Sequence, residues 1–205
     1  MNRVAVFIFI AVLLSIAPTA QAQWTLAHQA NVPCNAKGAR CDLNAIFFLD
    51  EEYGWVVGDK GIVLKTTDGG EQWKRIETGI KESLSDVYFH SKKEGLLIAS
   101  GAQVYRTKDG GENWHLVFEL TQVNTKQPED RPDLYSFSFP SKKQGWMVGT
   151  EGRIFHTEDG GQTWAQQESG TREELVHVKF TNNKRGWVVG GGGTILFTDD
   201  SGRTW

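Results

Sequence analysis

Thr66-Thr67-Asp68-Gly69-Gly70-Glu71-Gln72-Trp73 decides the fold, because it returns three more times with the same side chains at the same offsets. The copies are Thr107-Lys108-Asp109-Gly110-Gly111-Glu112-Asn113-Trp114, Thr157-Glu158-Asp159-Gly160-Gly161-Gln162-Thr163-Trp164 and Thr198-Asp199-Asp200-Ser201-Gly202-Arg203-Thr204-Trp205. Each residue type suits a tight turn between two strands. The Asp carboxylate accepts N–H bonds from the residues that follow, and the glycine two positions on adopts positive φ without penalty. The Thr hydroxyl bonds within the same turn, and the Trp supplies a large apolar face to bury beneath a neighbouring strand. Turn chemistry therefore accounts for Asp68, Asp109, Asp159 and Asp200; a metal or catalytic role is the weaker reading.

Working outward from these turns, an apolar alternation precedes each one: Leu43 to Phe48, Leu84 to Phe89, Leu134 to Phe139 and Leu175 to Phe180. Period two means a strand. A second apolar run follows a polar turn, at Gly54-Trp55-Val56-Val57-Gly58, Gly95 to Ala99, Gly145 to Gly149 and Gly186-Trp187-Val188-Val189-Gly190. It is hydrophobic enough to want both faces covered. A glycine turn leads to a third strand such as Gly61 to Thr66, then the repeated turn, then a fourth strand beginning at the Trp. Four strands with the first two most apolar make one blade of a β-propeller. The expected fold is thus all-β, a propeller of four-stranded antiparallel blades, with about four blades present.

The eight tryptophans fall into two slots. Trp24, Trp73, Trp114, Trp164 and Trp205 close the repeated turns, and Trp55, Trp146 and Trp187 sit on second strands. Leu96 fills the second-strand slot in the second blade, so that slot asks for bulk. On this reading no Trp is left over as an exposed ligand platform.

The turn, Ser/Thr-x-Asp-x-Gly-x-x-Trp, resembles the Asp box of the bacterial neuraminidase repeat. Sialidases, sortilin-type receptors, xyloglucanase-type hydrolases and photosystem II stability/assembly factors all carry it, so the box indicates scaffold rather than function.

Residues 1–22 look like a secretory signal peptide: Arg3, an apolar run from Val4 to Leu14, and Ala20-Gln21-Ala22 before the cleavage point. The run is shorter than the ~20 residues of a membrane span, although an uncleaved anchor is the competing reading. Residues 23–205 would then form an exported propeller with no integral membrane segment, in a periplasmic, thylakoid-lumenal or extracellular space. The two cysteines, Cys34 and Cys41, suit a disulfide there better than a redox or metal site, since two Cys cannot complete a zinc shell and the spacing is not Cys-x-x-Cys. Closing so short a loop would contribute about 2–2.5 kcal/mol. A net charge of −3 leaves no electrostatic footprint for nucleic acid.

From Trp73 to Trp114 is 41 positions, from Trp114 to Trp164 is 50, and from Trp164 to Trp205 is 41. The excess falls between Trp114 and Leu134. A second excess between Trp24 and Leu43 carries the cysteines. Both lie on connections between blades, on the rim opposite the Asp boxes. Trp24-Thr25-Leu26 resembles an outer strand, and the last Asp box has none after it, so the sequence is expected to be part of a longer ring.

A glycosidase needs two carboxylates flanking the scissile bond. Asp50, Glu51, Glu52, Glu94, Glu151, Glu173 and Glu174 all fall in turns where solvated acids are ordinary. No Arg-Ile-Pro motif or Gly-x-Ser-x-Gly elbow is present. Gly190 to Gly193 precedes a strand rather than a helix, so it is no phosphate loop. His28, His90, His115, His156 and His177 have no metal-ligand spacing, and neither a metal nor a cofactor is expected.

One charge pattern is regular. The turn between first and second strands carries Lys92-Lys93, Lys142-Lys143 and Lys184-Arg185 in three successive blades, against Asp50-Glu51-Glu52 in the first. These turns share a rim and form either ordinary solvated hairpins or a docking arc for an acidic partner or membrane face. Lys65, Arg106 and Arg153 make a second basic set, on third strands.

The combined unit, Gly-Trp-Val-Val-Gly followed by Gly-x-Ile/Val and Thr-x-Asp-Gly-Gly-x-x-Trp, is similar to the photosystem II stability/assembly factor family over residues 43–205. That resemblance implies an exported, seven-bladed, non-enzymatic assembly chaperone that binds a membrane-protein precursor or envelope complex partly through surface arginines. Arg106 stands where such an arginine would, while Lys65, His156 and Phe197 hold the equivalent place elsewhere. The alternative is a glycan-active protein, hydrolase or lectin-like, on the same scaffold.

Overall fold

The computed structural model describes residues 41–120 and 132–205. Trp24, Cys34, the leader and most of the second insertion lie outside the described residues, as does the pairing expected between Cys34 and Cys41.

The described chain forms four antiparallel sheets, each a meander in sequence order. The first blade comprises β1 (Leu43–Phe48), β2 (Gly54–Gly58), β3 (Val63–Thr66) and β4 (Lys74–Ile76). The second holds β5 (Leu84–Phe89), β6 (Gly95–Ala99), β7 (Gln103–Thr107) and β8 (His115–Glu119). The third holds β9 (Leu134–Ser138), β10 (Gly145–Gly149), β11 (Ile154–Thr157) and β12 (Ala165–Gln167). The last has three strands, β13 (Leu175–Phe180), β14 (Gly186–Gly190) and β15 (Ile195–Thr198). Fourth strands begin one residue after the Trp, at Lys74, His115 and Ala165. First strands of successive blades lie side by side, as in a propeller.

Each first strand slips register just after its opening Leu, between Leu43 and Ala45, Leu84 and Asp86, Leu134 and Ser136, and Leu175 and His177. The slip frees the intervening side chain to reach the next blade. Asn44 Nδ2 donates to the Leu84 carbonyl at 2.9 Å and Ser85 Oγ to that of Leu134 at 2.9 Å. A bulge is thereby turned into an inter-blade tie.

Apolar packing between blades follows one template. Trp55 stacks on Phe89 of the next blade with centroids 3.6 Å apart, and Trp146 stacks on Phe180 at 3.5 Å. Both indoles are fully buried. Where Leu96 replaces the Trp, Tyr88 stacks on Phe139 at 4.6 Å instead. Each such Phe is held edge-on by its own Asp-box indole, Phe89 by Trp114 and Phe180 by Trp205.

One expectation is corrected here. Trp187 is 40% exposed: no further described blade supplies the Phe its slot is built to meet, so this second strand is covered on one face only. On β1, too, Leu43, Ile46 and Phe48 are exposed.

Candidate functional site

The Asp boxes build one rim of the molecule. In every box the buried Thr hydroxyl donates to the Asp carboxylate at 2.7–2.9 Å and accepts the N–H of the second glycine at 2.9 Å. The carboxylate also takes a backbone N–H four residues on, at 2.9–3.0 Å. Side-chain and backbone donors around Asp109 hold its carboxyl down at about 2. Asp200 is likewise held at about 2, by the Thr204 N–H and hydroxyl and the Thr198 hydroxyl. These aspartates are spent on the turn, leaving no free ligand set.

A further contact was not anticipated. The residue after each box Asp donates its N–H to a carbonyl of the first turn in the same blade: Gly69 to Glu52, Gly110 to Lys93, Gly160 to Lys143 and Ser201 to Lys184, at 2.8–3.0 Å. A Cβ at Gly110 would stand 2.7 Å from the Lys92 carbonyl. In the last box Ser201 keeps the positive φ, 68°, and bonds its hydroxyl to the Asn183 carbonyl at 2.8 Å. The boxes therefore fix the backbone of the basic turns on their own rim. The accepting residue, Glu52, Lys93, Lys143 or Lys184, always stands 16 positions before the box Asp, and that constant spacing was the signal that could have revealed it.

The basic residues divide into three groups. Lys92 is engaged by the first blade, with its ammonium 3.6 Å from the Tyr53 ring centroid and 3.8 Å from Asp50. Lys65 donates to the Gly110 carbonyl at 3.0 Å and lies near the Trp55 face. Lys93, Lys142, Lys143, Lys184 and Arg185 are exposed, and none has an acid within ion-pair distance among the described residues. Arg153 is separated from the rest: it follows the 3-10 turn Thr150–Gly152 on the opposite rim and pairs with Glu151.

Arg106 pairs with Trp-slot Leu96 across the sheet, as Lys65 pairs with Trp55. It lines a cleft of about 500 Å³ between the second and third blades, with Lys108, His115, Val117 and Gln162. Its side chain is 14% exposed, and its guanidinium reaches Glu94 at 3.8 Å. The repeat-equivalent cleft between the first two blades is about 350 Å³ and contains Lys65 and Lys74, but Asp68 and Glu112 line it too. The lysines are offset there by acids in the lining itself, whereas the residues lining the Arg106 cleft include no acid and only Glu94, outside it, pairs with Arg106. Behind Arg106, burial holds the His90 pKa below the ordinary imidazole range, with the Arg106 and Lys142 charges acting in the same direction. A neutral His90 adds no charge to the cleft.

Toward the inner wall, Ala45, Asp86, Ser136 and His177 hold one position on four adjacent first strands, opposite Val57, Ile98, Val148 and Val189. Burial pushes Asp86 up to about 6, against the N–H bonds of Phe137 at 2.7 Å and Val87 at 2.8 Å. Ser136 Oγ lies 3.1 Å from His177 Nδ1. Each Asp86 oxygen accepts one of these backbone N–H bonds. Among the described residues no cluster of three His, Cys, Asp or Glu could hold a metal, and no helix is long and apolar enough to cross a membrane.

Four Asp-box sheets, first strands inward and a basic rim fixed by the boxes, define a β-propeller of the neuraminidase-repeat kind. The chain belongs to the family described as photosynthesis system II assembly factor YCF48, whose profile matches residues 20–130, 71–166 and 116–205. Among solved structures, YCF48 bound to D1 peptide is 20% identical with a TM-score of 0.52, over 77% of this chain and 63% of that one. The chain thus spans less than two thirds of that protein. An ancestral GH74 enzyme is 13% identical with a TM-score of 0.62, over 80% of this chain and 23% of the enzyme. The Pan2 WD40 domain of Neurospora crassa is 17% identical with a TM-score of 0.56, over 80% and 48%. At such identities the likeness is one of fold. No curated protein matches the chain significantly.

Proposed function

We propose that this is an exported, non-enzymatic propeller that binds an acidic segment of a membrane-protein precursor or envelope complex through its Asp-box rim. The observation that carries the reading is the Arg106 cleft, which Arg106 and Lys108 line together with His115, and where the one acid paired with Arg106, the half-exposed Glu94, lies outside the lining. Cationic groups in a concave, partly desolvated site attract a carboxylate more strongly than the same groups on open surface. The exposed lysines of the neighbouring turns extend this field along the rim and would steer association. Family membership supports a protein partner, and the D1 peptide bound to the YCF48 structure makes a membrane-protein segment the first ligand to test. The leader-like residues 1–22 support export.

The experiment is capture from a detergent extract of the source membranes, with wild type beside Arg106→Glu/Lys108→Glu. We expect a membrane protein retained by wild type at low salt to be lost on raising salt and lost in the variant. Equal retention by both proteins would contradict the assignment to this cleft.

A further inference from the structure

The cations of the Arg106 cleft are not of one kind. On the third and fourth strands of the first three blades, Lys65 stands opposite Lys74, Arg106 opposite His115 and His156 opposite Ala165. The second blade thus carries an imidazole where the first carries an ammonium and the third carries no charge. His115 is exposed and lines the cleft with Arg106, Lys108, Val117 and Gln162. Asp109 and Glu112 precede it in the box, yet neither is part of the lining, and Glu94, which pairs with Arg106, lies outside as well. Among the lining residues His115 therefore faces Arg106 across the sheet, Lys108 from its own box and the neutral Gln162 amide from the next blade. The other imidazole nearby, His90, does not line the cleft: burial holds its pKa down, and Arg106 and Lys142 act in the same direction, against the Gly160 backbone and Glu94. Of the side-chain types in the lining, only imidazole changes charge between about pH 5 and 8.

We infer that His115 couples capture of the acidic partner to proton uptake, so that the cleft holds the partner at acidic pH and releases it as pH rises. This deepens the assignment of the partner to the cleft and rests on it. An anion seated between Arg106 and His115 favours the charged imidazole, and by reciprocity the charged imidazole favours the anion. The imidazole is then protonated over a wider pH range in the complex than in the free protein. The added affinity is fully present below the titration range of the free protein and is lost as pH rises through that of the complex. One charge about 5 Å from the anion at a solvent-open site is worth roughly 3- to 10-fold in affinity.

The test is isothermal titration calorimetry of the whole chain with an end-blocked tetra-aspartate peptide, from about pH 5.5 to 7.5 at constant ionic strength, in pairs of buffers that differ in ionisation enthalpy. Aspartate side chains, with an ordinary pKa of about 3.9, stay ionised throughout. Wild type is expected to bind roughly 3- to 10-fold tighter at the acidic end and to take up a fraction of a proton per peptide. His115→Gln, at an exposed site, keeps the weaker affinity at every pH and takes up no proton, while His115→Lys keeps the tighter affinity at every pH. His177→Gln, on the inner wall, behaves as wild type, and far-UV circular dichroism verifies that each variant is folded. If Arg106→Glu abolishes binding but wild-type affinity is flat over this range, or the pH dependence survives in His115→Gln, this inference is overturned and the assignment to the cleft stands. If the peptide does not bind, or binds Arg106→Glu as well as wild type, the assignment itself fails and the inference with it.

Discussion

Trp146 and Trp187 occupy the same slot of the same Gly-Trp-x-Val-Gly element, yet replacing them by Ala has different consequences. Trp146 is fully buried, stacked on Phe180 at 3.5 Å and on His156 at 4.5 Å, and its Nε1 donates to Gln167 at 3.2 Å. At about 25 cal/mol per Å² and roughly 200 Å² for a covered indole, its burial contributes about 5 kcal/mol. Trp187 is 40% exposed and keeps about 3 kcal/mol on the same scale. The stacked pair adds about 1 kcal/mol to the Trp146 side. Trp146→Ala should therefore cost about 2–3 kcal/mol more than Trp187→Ala. The measurement is urea unfolding followed by far-UV circular dichroism. Equal losses would refute the idea that neighbour-blade stacking, rather than the motif itself, sets the value of this slot.

Three further outcomes follow from the described contacts. Asp109, Asp159 and Asp200 have folded pKa values of about 2 against 3.8 unperturbed. Their contribution is present above about pH 4 and lost as pH falls toward 2, so wild type loses stability over that interval, while Asp159→Ala is less stable at pH 7 and loses less on acidification in thermal melts. Asp86 has the opposite sign: raised from 3.8 to about 6, it favours the folded state below about pH 4 and loses that contribution as pH rises through about 6. Asp86→Asn should flatten this component, read as the difference between wild-type and variant melting curves from pH 4 to 7; a constant difference would contradict it. Leu96→Trp restores the slot's usual residue but enters a filled site, where Tyr88 already stacks on Phe139 and Leu96 Cδ1 lies 2.5 Å from a Cβ built at Gly161; it is expected to destabilise by about 1–3 kcal/mol in urea melts.

The scaffold was legible because its devices are local. Thr66, Asp68, Gly70 and Trp73 act within one turn, and the strand alternation marks which side chains can point inward, so blade number and strand order follow from spacing. What escaped the sequence depends on neighbours. The exposure of Trp187 is set by the face beside it and not by its motif, which matches that of buried Trp55. The sequence separates the basic residues into a first-turn set and a third-strand set, but within those sets Lys92 is engaged by Tyr53, Lys65 by the Gly110 carbonyl, and Arg153 is on the other rim. Periodicity places a residue on a strand; it does not show which acid lies across the blade boundary. The cleft at Arg106 emerged only from comparing two equivalent inter-blade clefts, where Glu112 in one is replaced by Gln162 in the other.

The central claim is that the Asp-box rim, at the Arg106 cleft, holds the partner. Its most direct test is a backbone amide chemical-shift map of the labelled protein titrated with an acidic peptide carrying a free C-terminal carboxylate. The account predicts shifts concentrated at Arg106, Lys108, His115 and Gln162, diminishing toward the neighbouring basic turns and suppressed by salt. Shifts centred on Arg153 and the opposite rim, or none at saturating peptide, would contradict it.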